Sequence, residues 1–189
     1  MKIRAAVLNQ MQIPQPYAKT KPISIETIEL DPPGPGEVLV KMAAAGLCHS
    51  DLSVINGDRP RVMPMVLGHE ASGIVEELGP GVVGLQRGDH VALVFAPNCG
   101  HCLPCLEGRP ALCEPAFAAA GAGTLISGHH RLHRADRSPI NHQVGVSCFA
   151  EYAVVARGTL VKIDPELPLD IGIGEIGRAS CRERVFITV

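Results

Sequence analysis

The sequence has no excess of charge of either sign: 17 Lys and Arg stand against 19 Asp and Glu, a formal net charge of −2. A chain so nearly neutral has no field to gather nucleic acid or an anionic membrane, and neither is expected as a partner. Long apolar runs are also missing. Stretches such as VALVFAP (91–97) fall far short of the ~20 residues that cross a bilayer. The opening MKIRAAVLNQ is charged but has only a short apolar run, so it does not read as a secretory signal, and the cytoplasm is the expected compartment. Without an oxidising compartment, the 7 cysteines are not expected to form a disulfide framework. Closely spaced cytosolic cysteines are more often metal ligands or redox groups. Internal repeats are absent too, which removes the solenoid class.

What is present suits one folded domain: 189 residues, 46% hydrophobic and 19% charged. The first half alternates short extended runs with turn chemistry. Residues 2–9 (KIRAAVLN) and 23–30 (ISIETIEL) read as strands. In the second, the apolar phase slips between Ile25 and Ile28, which predicts a bulge. Residues 31–37 (DPPGPGE) must turn, because proline has no N–H for a ladder and glycine permits positive φ. Further extended runs are predicted at 37–46, 72–79, 89–97 and 151–163. Strands spaced this way favour a β barrel or sandwich over alternating βαβ units. Residues 116–146, rich in Gly, Ala and His, show little periodicity and read as a long surface loop or lobe. After Asp164 the chain reads as leaving the barrel.

The most specific local signal is NCGHCLPCLEGRPALCE, which places Cys99, Cys102, Cys105 and Cys113 in a C-x2-C-x2-C-x7-C spacing. Two intervening residues let neighbouring sulfurs converge on one ion, and the longer return brings the fourth. Four thiolates with no open position form a structural zinc site. Pro104 and Gly108 help the chain fold tightly there. An iron–sulfur cluster, a redox pair and coincidence are the rival readings. Ferredoxin-type runs have a third spacer of three residues with proline directly after the fourth cysteine, whereas here Glu114 precedes Pro115. His101, inside the loop, reads as a solvent-facing bystander.

A second constellation is spread more widely. GLCHSD (46–51) and GHE (68–70) each set a metal-ligand type beside a carboxylate, and GHEASGIVEELGPGV is followed by GDHV at 88–91. Together with PGPGEVLVK, the four-cysteine loop and GVSCFAEYAVV (145–155), these motifs resemble the N-terminal catalytic domain of the zinc-dependent alcohol dehydrogenases, members of the medium-chain dehydrogenase/reductase superfamily. The resemblance runs from about residue 2 to residue 174. It implies a mainly β fold: a GroES-like, partly open β-barrel over residues 1–174, with a structural zinc lobe at about 96–115.

The resemblance also implies roles. Cys48 and His69 match two of three protein ligands of a catalytic zinc. Asp51 matches the carboxylate that orients the ligating histidine, and Glu70 lies just behind the metal. Ser50 matches the hydroxyl that receives the alcohol proton, and His49 matches a cationic position facing the cofactor pyrophosphate. Where the family has a relay histidine, this chain has Ser53. A zinc with three protein ligands keeps one position open and acts there as a Lewis acid on a substrate oxygen. Hydride passes to NAD or NADP, held by another domain. The implied substrate is a small alcohol or aldehyde and the implied full-length enzyme a homo-oligomer. GVSCFAEYAVV also resembles the S-(hydroxymethyl)glutathione (formaldehyde) dehydrogenase branch. A stand-alone, non-enzymatic zinc-binding module is the alternative from another class.

Other candidate residues read as ordinary parts of the fold. His129, His130 and His133 read as exposed loop histidines, and Cys148 as a small buried hydrophobe. GIGEIG (172–177) echoes a glycine fingerprint, but too few residues follow it for a βαβ unit, so it is rejected as a dinucleotide site and the Rossmann cofactor domain is read as absent. The family's third zinc ligand, from a Gly-Cys pair, has no counterpart; Cys181 stands among arginines and does not take that role. EIGRASCRERV (175–185) resembles the in-frame translation of a sequencing-library adapter. Residues 175–189 are therefore expected to be a non-native tail on a truncated enzyme that is inactive alone.

Overall fold

The computed structural model describes residues 1–170 and the backbone of Phe186–Thr188. The expectations placed on 171–185, including the glycine run at 172–177, Cys181 and most of the tail, lie outside the described residues.

Alternation of burial shows how the first layer forms. In β1 (Lys2–Leu8), Ile3, Ala5 and Val7 point inward while Lys2 and Arg4 face out, the period of two that a half-buried strand requires. β2 (Ile23–Leu30) pairs with it antiparallel along its whole length. β3 (Glu37–Gly46) follows the proline-rich turn, and α1 (Tyr17–Thr20) is a single turn between β1 and β2. β4 (Met65–Val66), β7 (Leu132–His133) and β8 (Pro139–His142) complete a closed barrel in the order β1-β2-β7-β8-β4. Ile3, Val7, Ile28, Leu30, Leu132 and Ile140 fill its interior.

The second layer is built on β3, with β5 (Ala71–Leu78), β6 (His90–Leu93) and β10 (Leu160–Lys162) on one side. On its other edge β3 pairs with β9 (Tyr152–Ala156) at Glu37–Lys41 and with β11 (Phe186–Thr188) at Ala44–Gly46. Nearly every residue of β3 is buried, because apolar groups cover both faces of the strand. Val38, Val40, Val75, Val91, Leu93 and Val155 form its core.

The mainly β, GroES-like expectation thus meets a mainly β structure. Three local readings need correction. β2 has no bulge: its register to β1 is continuous, and the phase slip arises because Ile25 faces outward and is 72% exposed. The irregularities lie in β3, between Leu39 and Val40 and between Met42 and Ala44. The expected strand at 151–163 is two strands, β9 and β10, separated by a 3-10 turn at Arg157–Thr159. Residues 116–146 are not a surface loop. They hold most of α4 (Glu114–Ala122) together with β7 and β8, and Leu125, Leu132, Ile140 and His142 are fully buried. Strands of two and four residues are too short to show periodicity, which is why this part of the barrel was invisible in the sequence.

Among the described residues no helix is long and apolar enough to cross a membrane.

Candidate functional site

α2 (His49–Ile55) starts directly after β3, and its first residues are the CHSD motif. Cys48 occupies the N-cap with extended backbone, and its N–H donates to Asp51 Oδ2 at 3.0 Å. The carboxylate therefore caps the helix, as an acidic group three residues into a capping box does. The same carboxylate has a second task. His69 Nδ1 donates to Asp51 Oδ1 at 3.0 Å, and Gln143 Nε2 donates to that oxygen at 2.9 Å. Asp51 is 4% exposed, so three donors hold it inside the protein. With its Nδ1 proton committed to Asp51, His69 presents Nε2 as a lone pair, the tautomer a metal ligand needs.

His69 lies between β4 and β5, where the chain turns sharply. Gly68 has φ +95°, and a Cβ there would lie 2.5 Å from the Phe149 ring, 2.7 Å from the Phe149 backbone nitrogen and 2.8 Å from Cys148 Sγ. Only glycine admits both that backbone and that approach. Cys148 N and Phe149 N donate to the carbonyls of Gly68 and Leu67, which fixes this turn against the 148–149 segment. Gly46 N donates to the Glu70 carbonyl at 2.8 Å and so brings the end of β3 beside the GHE motif.

The result is a cluster of Cys48, His69 and Glu70, all buried, whose ligand atoms lie within 4.8 Å of one another. Sulfur, imidazole nitrogen and carboxylate oxygen at that spacing fit a zinc ion. Glu70 was expected just behind the metal; its Oε1 stands 3.9 Å from His69 Nε2, within the donor group itself. Ser50 Oγ lies 3.1 Å from Cys48 Sγ and 3.0 Å from His69 Nε2. All four line a cavity of about 280 Å³ together with His49, Phe95 and Val144. His49 is exposed, and Ser53 bonds the His49 carbonyl at 3.2 Å.

The second cluster is local. Cys102 precedes α3 (Leu103–Leu106) and Cys113 precedes α4, so the helix starts set two of the four thiols. Cys99, Cys102, Cys105 and Cys113 place their sulfurs within 4.8 Å of one another. Cys102 and Cys105 Sγ are 3.4 Å apart, far beyond a disulfide bond, and both are free thiols. Backbone N–H groups of His101 and Cys102 point at Cys99 Sγ and lower that thiol to about 6. Burial, then the neighbouring Cys102 thiol, pushes Cys105 up to about 11, and burial raises Cys113. Four convergent sulfurs fit a closed tetrahedral zinc site. His101 is exposed and bonds the Cys99 carbonyl instead.

The histidines at 129–133 are mixed. His129 is exposed as expected, but His130 and His133 are half-buried: His130 bonds Asn141 and His133 faces Asp31 at 3.6 Å. Among the described residues they join no cluster of convergent metal-ligand atoms. Cys148 is fully buried, and burial raises its thiol well above the ordinary range, as suits a small core residue. The sequence reading missed Gln143, which reaches Asp51 from 92 residues away. No local pattern marks it. Its loop is set by Ser147, which accepts from Gln143 N and donates to the Val66 carbonyl.

Comparison with known proteins fits this geometry. The family model for the alcohol dehydrogenase GroES-like domain matches residues 34–165. A putative alcohol dehydrogenase D of Mycobacterium tuberculosis is 43% identical over 173 residues, covering 92% of this chain and 44% of that protein. An S-(hydroxymethyl)glutathione dehydrogenase of Synechocystis is 42% identical over 167 residues, covering 88% and 43%. The crystal structure of an alcohol dehydrogenase zinc-binding domain protein from Burkholderia ambifaria superposes with a TM-score of 0.81 at 37% identity, over 90% of this chain and 44% of that one. The chain thus spans less than half the length of the relatives it matches.

Proposed function

The chain belongs to the zinc-dependent alcohol dehydrogenase family, a family of oxidoreductases, and on that premise we propose that its Cys48–His69–Glu70 cavity is the metal end of an alcohol-oxidising site. The observation that carries this reading is the Asp51–His69 contact. It aims Nε2 at the same small volume as the Cys48 sulfur and the Glu70 carboxylate. A zinc bound there supplies Lewis-acid polarisation of a substrate oxygen. The protein's own residues do the rest. Asp51 and Gln143 hold the imidazole, Phe95 packs edge-on to it at 6.1 Å, and Ser50 stands at the ligand atoms to receive the alcohol proton. With Cys48 and His69 committed as metal ligands, the Ser50 hydroxyl would be free to accept a hydrogen bond from the alcohol O–H and to hand its own proton to solvent at the cavity mouth as it takes up the alcohol's. His49, exposed on the cavity wall, is placed to donate a hydrogen bond to a cofactor pyrophosphate.

In the full-length enzyme, hydride transfer to NAD or NADP yields an aldehyde or ketone. Residues 1–174 form the catalytic domain, the lobe at about 96–115 holds the structural zinc, and 175–189 is the non-native tail. The described residues include no parallel βαβ unit to hold a nicotinamide. The purified 189-residue chain is accordingly inactive with NAD or NADP and alcohols, and measurable turnover by it would sink that statement. The S-(hydroxymethyl)glutathione branch is the second reading, favoured by the Synechocystis relative.

Metal content tests the central claim. We expect two zinc ions per chain. One is held tightly by the four thiols; the other is lost in His69→Ala and in Cys48→Ser. A single zinc per chain, unaffected by both substitutions, would leave only a non-enzymatic zinc module.

A further inference from the structure

The loop that follows α2 brings two arginines to the wall of the metal cavity, Arg59 and Arg61. Neither forms an ion pair among the described residues. Every other described arginine donates to a carboxylate, except Arg157, which donates to two backbone carbonyls. Arg61 is half-buried; its Nη1 reaches only the neighbouring Pro60 carbonyl, and its Nε is buried without an acceptor. A buried guanidinium donor left unpaired is costly, and a planar anion placed against it offsets that cost. The cavity's own lining has a single carboxylate, Glu70, which already stands among the metal-ligand atoms.

Arg61 also has a second neighbour. Together with Phe95 and Val144 it lines an adjoining, largely apolar cavity of about 280 Å³, to which Phe117 and Ala120 of α4 also contribute. One cavity holds the Cys48–His69–Glu70 cluster, the other is largely apolar, and Arg61 borders both. Resting on the functional reading above, we infer that Arg59 and Arg61 form an anion subsite, and that the alcohol taken by this site carries a carboxylate or phosphate on an apolar body. The planar guanidinium suits a bidentate oxyanion and gains nothing from a neutral alcohol. A phosphate on the nicotinamide cofactor offers the same chemistry, and the experiment separates the two sources.

The test uses the full 189-residue chain loaded with Co²⁺ in place of zinc, titrated by calorimetry. The probes are 4-(hydroxymethyl)benzoate, benzyl alcohol and inorganic pyrophosphate. The carboxylate-bearing alcohol is expected to bind about tenfold tighter than benzyl alcohol. Arg61→Met should remove most of that preference, Arg61→Lys should restore part of it, and Arg59→Met should reduce it. An unchanged cobalt spectrum and melting curve show that each variant is folded. Equal affinity for the two alcohols overturns the inference, as does a preference that survives in the Arg59→Met/Arg61→Met double variant. Pyrophosphate binding that is lost in Arg61→Met, with no carboxylate preference, assigns the arginines to the cofactor phosphates and overturns it too. The functional reading fails separately. A carboxylate preference in a chain with no cobalt band from a Cys/His/carboxylate site keeps the anion subsite and removes the metal centre.

Discussion

Asp51→Asn isolates how much of the metal site depends on one carboxylate. Asp51 accepts from Cys48 N, His69 Nδ1 and Gln143 Nε2 at 2.9–3.0 Å. Asparagine can accept through its oxygen but must present an NH2 in place of the other oxygen. If its oxygen faces His69 and Gln143, the amide meets the Cys48 N–H and the helix cap is lost. If it is flipped, two donors face the amide instead. Either way at least one charge-assisted bond disappears, and the loss of the negative charge makes the imidazole a weaker ligand. We expect stability to fall by about 1–3 kcal/mol and metal affinity at Cys48–His69–Glu70 to fall about 10–100-fold. The assay is a competition titration with a chromophoric chelator, followed by cobalt absorbance. The four-thiol site is an internal control, because its ligands lie in a separate loop and should keep their affinity. Loss of stability without loss of metal affinity would refute the orienting role and leave Asp51 as a helix cap only.

Other outcomes follow from the same structure. His142 is fully buried, and burial pushes it down to about 3 against ~6.5 in an unfolded chain. The unfolded state therefore binds the extra proton between those values, and stability present above pH ~6.5 is lost as pH falls, about 2 kcal/mol by pH 5. Denaturant melts of His142→Gln should show a flatter pH dependence; the same acid slope in the variant would show that another group governs it. Glu37 is 1% exposed and accepts from Arg131, Ser127 and Gly34, so Glu37→Ala should cost about 3–5 kcal/mol in a denaturant melt. Gly68→Ala should cost about 1–2 kcal/mol for its positive φ alone, more for its approach to the Phe149 backbone, and should lower metal content as His69 shifts. A variant with wild-type melting and metal content would contradict the turn argument.

How far the sequence could be read depended on how locally each feature is encoded. The four-thiol cluster is the clearest case: Cys99 to Cys113 lie in one short loop, so spacing alone brings the sulfurs together. β1 was legible because its inward residues alternate with charged ones. β7 and β8 were not, since a two-residue and a four-residue strand owe their conformation to their neighbours across the barrel. The bulge expected in β2 failed because an outward-facing Ile25 mimics a shift of phase.

Residue chemistry in the sequence thus determined the kind of site: thiols, an imidazole and carboxylates in motifs that resemble one family. It also determined the strands whose own alternation buries one face. Tertiary structure decided which of those groups meet. Cys48, His69 and Gln143 come from α2's start, a turn before β5 and a loop after β8, and only the closed barrel with its pinned turns sets them around Asp51. The same folding moved Glu70 in among the ligand atoms and left Arg61 without a carboxylate beside it. Local spacing can specify a loop that wraps an ion. A cavity assembled from distant segments is specified by the packing that joins them, and one segment read alone carries no record of its partners.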